Sequence, residues 1–179
     1  MQASADRALP THPQCATPPG TPQVPALQLR TAMGSFATGV TVVTCGTDQG
    51  LFGFTANSFQ CVSLEPPLVS FCLAKDAWSI AAFAGAAGYA VSVLAAGQQD
   101  LALRFSRRGG DKWAGVDYHV GHGGAPVLSD SIASFECSPV SAIEAGDHLI
   151  FLARVERVCH RELAQPLLFF RGQLSGASA

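Results

Sequence analysis

The chain has 179 residues, of which 48% are hydrophobic and only 13% charged, about half of the ~25% charge share of an ordinary soluble domain. That composition excludes a wholly disordered chain, which needs low hydrophobicity and high net charge. A formal charge of -2 and a pI of about 6.2 leave no basic excess to neutralise a phosphate backbone, so no nucleic-acid partner is expected.

In chain order, residues 1–26 hold six of the eleven prolines and two charges, Asp6 and Arg7. Proline fixes φ and removes a donor, so this stretch reads as a disordered Pro-rich leader, with the folded domain expected over 27–179. The leader carries no Lys/Arg-led apolar segment, so no secretory signal is expected. Residues 27–35 have helical spacing, with Leu29, Met33 and Phe36 on one side. Val40 to Thr44 are mostly β-branched and suit a strand over 39–45, closed by a turn at 47–50. Strands are expected at 51–60, 67–74 and 89–94, with short helices at 76–86 and 98–106. Residues 109–124 contain six glycines and read as a long irregular loop. Strands at 132–143, 148–158 and 167–170 complete the set. Short strands, Gly-rich turns and few helices suggest a closed antiparallel barrel or a sandwich.

No run nears the ~18 consecutive apolar residues that span a bilayer, so no membrane partner is expected. The six cysteines, at 15, 45, 61, 72, 137 and 159, form no C-x-x-C pair. A disulfide framework fits their even number, but free thiols in a reducing cytoplasm fit their apolar settings better. So few charges on so apolar a chain also suggest that part of the surface is covered by another subunit. His119 and His122 match no standard metal-ligand spacing, and no metal is expected. No G-x-S-x-G and no strand-borne G-x-G-x-x-G is present, which argues against a hydrolase elbow and a Rossmann site.

The stretch 54–63, FTANSFQCVS, is the most informative. Thr55, Asn57, Ser58, Gln60 and Ser63 crowd polar groups into nine positions. Composition alone leaves two readings, a polar turn or a set of groups aimed at phosphate, ribityl or ring oxygens. Leu64-Glu65-Pro66-Pro67 follows and leads rigidly into the apolar strand at 67–74.

The blocks LRTAMGSFATGVTVVT, GFTANSFQCVSLEPPLVSFCLAK and YAVSVLAAGQQDLALRFS, followed in order by DKWAGV, GAPVL, FECSPV, AGDHLIFLARV and PLLFFRGQL, resemble the flavin reductase family. The resemblance covers about 27–174. It implies a mainly β fold, a six-stranded antiparallel Greek-key split barrel with a few flanking helices, working as a homodimer. It also implies NADH or NADPH as hydride donor, FMN or FAD as acceptor, and a partner monooxygenase that receives reduced flavin. By the same resemblance Thr55, Ala56, Asn57 and Ser58 contact the ribityl chain and ring edge. Cys61, Val62 and Ser63 continue the flavin wall, and Phe71 and Cys72 lie beside the ring, although Cys72 also suits the core. Lys75 and Ser79 match the phosphate block, His148 the place beside the nicotinamide, and Arg171 either a cofactor phosphate contact or a barrel cap. Three positions depart from the pattern: Ala77 stands where a hydroxyl is frequent, Ser92 where Asn is common and Leu174 where Tyr is frequent. These departures leave open an alternative, a flavin-binding carrier or sensor without reductase activity.

Overall fold

A computed structural model describes residues 24–162 and 164–177. The expected leader lies outside the described residues as far as position 23. The first element is α1 (Ala26–Met33), none of whose residues is buried. β1 (Thr38–Gly39) and β2 (Thr41–Thr47) share one run of β-branched residues that breaks at Val40. The break has a hydrogen-bonding cause. Val40 N–H donates to Leu167 O and its carbonyl accepts from Leu94, so the chain switches partners there.

The expected single strand at 51–60 is instead β3 (Gly50–Ala56), a turn at 57–59 and β4 (Gln60–Leu64). Asn57 and Ser58 favour a turn because their side chains compete with the ladder for hydrogen bonds. β5 (Pro67–Ala74) follows, then α2 (Ile80–Gly85), shorter than the helix expected from position 76. β6 (Tyr89–Val93) and α3 (Gln99–Ser106) fall as the periodicity suggests. The Gly-rich loop holds β7 (Tyr118–Val120), and β8 (Pro126–Leu128) pairs back on it. β9 (Ala133–Ala145) and β10 (His148–His160) form a long hairpin, and β11 (Leu167–Phe170) with β12 (Gln173–Gly176) a short one. The last turn is Arg171-Gly172, with φ of 49° and 80°, the left-handed pair that matches strand twist in a two-residue hairpin.

The principal sheet runs β3-β2-β6-β9-β10-β5-β4, every reported pair antiparallel. Seven segments therefore stand in this order where the expectation named six strands. The sheet curls so that Phe54 of β3 and Phe71 of β5 both reach Phe83 of α2, with ring centroids 5.0 and 6.1 Å away. α2 thus fills the split between the two ends of the sheet. Inside, Phe71 stacks on Phe151 at 5.2 Å, and Tyr89 donates its hydroxyl to Phe83 O at 2.8 Å. Buried Cys45 and Cys137 lie in the same cluster.

β2 is buried on both faces. Val43 and Cys45 face this interior, while Val42 joins Val40, Leu94, Ala102, Phe105 and Leu167 in a second core. That second core seats α3 and the small sheet β1-β11-β12 against the outside of the barrel. The free edge of β3 is covered by the loop after α3. Lys112 Nζ donates to Gly53 O, and Trp113 Nε1 donates to Leu51 O. Covering an edge removes its exposed ladder groups.

Candidate functional site

A cavity of about 270 Å³ opens where the end of β3 meets α3 and the β11–β12 hairpin. Thr55, Ala56 and Asn57 form one wall, Ala102, Leu103 and Ser106 a second, and Val40, Phe169, Gly172 and Leu174 the rest. The walls are mostly apolar with a few polar groups, the usual make-up of a small-molecule site. Thr55 is fixed by its own hydroxyl, which donates to Ala102 O at 2.6 Å. Asn57 is exposed. Beside the cavity, Thr38 lies opposite Phe169 in register, and its buried Oγ1 has no partner among the described residues. A buried hydroxyl left without a partner is costly, and a polar ligand can satisfy it.

From Asn57 a polar strip crosses the turn to β5. Ser58 Oγ accepts from Cys72 N at 3.0 Å, which ties the turn to the outward-facing positions of that strand. One step on, Ala74 pairs with His148, the first residue of β10. His148 Nδ1 donates to Asp147 Oδ1 at 2.8 Å, which leaves Nε2 as the outward nitrogen. That hydrogen bond is the main reason the Asp147 carboxyl lies below the usual carboxylate range. Lys75 N–H donates to Asp147 O, and Lys75 Nζ pairs with Glu144 at 2.9 Å. Both side chains of that pair reach solvent, so the bond is worth at most about 1 kcal/mol and yields readily to a better anion.

The structure brings together Thr55, Ala56, Asn57, Ser58 and Cys72, with Lys75 and His148 at the far end of the strip. Cys61 and Val62 lie exposed on β4, where a register shift between Cys61 and Ser63 bends the edge. Phe71 is different: the residue is 0% exposed and its ring belongs to the interior cluster. Ser79 is 2% exposed at the start of α2, which takes its hydroxyl away from solvent. Arg171 occupies the hairpin turn with its guanidinium 5.0 Å over the Phe170 ring, near Gly172 of the cavity wall. Of the departures, Leu174 lines the cavity, Ala77 packs on the interior cluster, and buried Ser92 accepts from Leu128 N within the fold.

Sequence reasoning missed the α3 wall and β12. The Arg171-Gly172 pair between two apolar runs was the available signal for the hairpin. Loop residue Lys112, a lysine in the Gly-rich segment, is buried. Among the described residues no helix is long and apolar enough to cross a membrane, and the five described cysteines are free.

Residues 33–178 match the family model described as a flavin reductase like domain. The chain is 43% identical over 143 residues to an FMN reductase (NADH) of Agrobacterium fabrum, covering 80% of this chain and 81% of that protein. It is 42% identical over 149 residues to the reductase subunit HsaB of a flavin-dependent monooxygenase from Rhodococcus jostii, covering 83% and 76%. A probable flavin reductase of Rhizobium meliloti is 48% identical over 128 residues, which is 71% of this chain but 41% of that longer protein. Among solved structures, an NADH:FAD oxidoreductase of Streptomyces globisporus with NAD and FAD fragments superposes with a TM-score of 0.81 at 40% identity, covering 85% of this chain and 92% of that one.

Proposed function

The chain belongs to the flavin reductase-like domain family, and on that premise we propose that it is an NAD(P)H-dependent flavin reductase whose flavin sits against the β3–β4 turn. The cavity lined by Thr55, Ala56 and Asn57 carries this reading: apolar walls suit a planar ring, and the exposed Asn57 amide suits its polar edge. The orphaned Thr38 hydroxyl beside it fits the same ligand. When bound, the flavin accepts a hydride, two electrons and a proton, from a reduced nicotinamide.

The protein's part is binding, orientation and charge. Thr55 is held to α3, so the turn is set before ligand arrives. Asn57 and the adjacent backbone N–H groups stabilise negative charge that grows on a reduced ring. Lys75 offers a cation to a phosphate by releasing Glu144. Asp147 fixes the His148 ring, and the outward Nε2 orients the nicotinamide without moving a proton. Cys61, Val62, Ser63, Cys72 and Arg171 border the same ligand, while buried Phe71 and Ser79 support the strand and the helix start behind it.

The working unit is a homodimer. β4 and the β9–β10 hairpin expose Val62, Leu64, Val140 and Ile143, apolar side chains that a second copy would cover. A flavin-dependent monooxygenase is the partner that consumes the reduced flavin, as the name of the Rhodococcus jostii relative suggests. The test is anaerobic mixing of the protein with FMN, then FAD, and with NADH, then NADPH, following the oxidised flavin band. Bleaching that scales with protein supports the reductase. Flavin binding without bleaching supports the carrier reading instead.

A further inference from the structure

Trp78 stands outside the strip described above, yet it is the most exposed large aromatic side chain of the barrel's split, at 54%. An indole left half in water forgoes much of the burial that usually pays for its placement. It is nonetheless held in one place. Phe52 of β3 packs against it with centroids 5.2 Å apart. Beneath it the Lys112 ammonium lies 5.7 Å from the ring centroid.

Lys112 is itself 5% exposed. It donates to Phe105 O and Gly53 O, and among the described residues it has no carboxylate partner. Burial lowers its pKa. Asp76, two residues before Trp78, pairs with Arg108 at 2.7 Å. The turn therefore presents an exposed aromatic plane over an uncancelled cation.

Phe52, the seat of Trp78, lies four residues up β3 from Ala56 in the cavity wall, about 13 Å along the strand. Lys75, the cation nearest in sequence, marks the same turn. We propose that Trp78 is a stacking platform for an adenine ring carried on a pyrophosphate, so that this site selects a dinucleotide over a mononucleotide. Two molecules of the proposed reaction carry that group, FAD and the nicotinamide dinucleotide. The inference rests on the flavin reductase reading.

The test compares wild type, Trp78→Ala and Trp78→Phe by equilibrium titration with FAD, with FMN and with ADP, and by the KM for NADH with FMN as acceptor. Base–aromatic stacking of about 1–3 kcal/mol sets the scale. If FAD carries the adenine, Trp78→Ala weakens FAD about tenfold and FMN less than about twofold, Trp78→Phe restores most of the loss, and ADP competes with FAD. If the nicotinamide donor carries it, the NADH KM rises about tenfold while both flavin affinities hold. Equal weakening of FAD and FMN, or no change in any affinity or KM, overturns the assignment. Retained FMN binding shows that the variants are folded; should Trp78→Ala not fold, Trp78→Phe and ADP competition in the wild type decide alone, and ADP displacing neither FAD nor NADH overturns it. Wild-type FMN binding and its bleaching by NADH test the reductase reading separately, so the two can fail independently.

Discussion

β5 and β10 show two regions of one sheet put to opposite uses. Their inward positions, Phe71, Phe151 and Ala153, are sealed in an aromatic cluster whose rings meet at 5.0 to 6.3 Å. Their outward neighbours, Cys72 and Ile150, are only half-buried and continue into the β3–β4 turn. The alternation of a strand thus separates stability from binding at one-residue resolution. Substitutions on one face should change folding and leave affinity alone; on the other, the reverse.

The largest effect is expected inside. Phe71→Ala removes a ring packed against Phe83, Tyr89 and Phe151 and should cost about 3–5 kcal/mol in denaturant unfolding. The folded fraction should keep its flavin affinity, and a matching loss of affinity would break the separation. Next comes Lys112→Met, which leaves Gly53 O and Phe105 O without their donor at a cost of about 1–3 kcal/mol. Its pH dependence has a definite sign. The folded pKa of Lys112 is lowered, so between that value and the unfolded one the native state holds fewer protons. Stability therefore rises with pH across that window, and Lys112→Met should abolish its share of the rise.

On the outer face, His148→Ala should raise the NADH KM about tenfold, or about 1.4 kcal/mol, with flavin affinity and unfolding midpoint unchanged. Unchanged steady-state kinetics would remove His148 from the site. The smallest effect is chemical. Burial pushes the Cys45 thiol up to about 12, and burial followed by Glu156 and Glu136 does the same for Cys137. A thiol reagent at neutral pH should modify exposed Cys61 and Cys159 and spare those two, as mass mapping would show.

Much of this was legible in the sequence because period and turn chemistry are local. β2, β5, β6, β11 and the β9–β10 hairpin follow from β-branched and alternating runs, and the TANS block marked the turn that lines the cavity. What escaped is what depends on partners distant in the chain. The run through Val40 looks continuous until its N–H and C=O are seen to bond Leu167 and Leu94. Lys112 reads as a surface cation until the β3 edge supplies it with carbonyls. The family blocks indicated Phe71 beside the ligand, since a block names positions on a strand and not the face each one takes.

Hydrogen exchange with and without flavin tests the separation of faces most directly. Amides of β2 and β6 should exchange slowest in both states, while added FMN should slow exchange at 55–63, 72–75 and 167–174. Flavin-dependent protection confined to other segments, or absent with flavin demonstrably bound, would contradict the placement of the site at the β3–β4 turn.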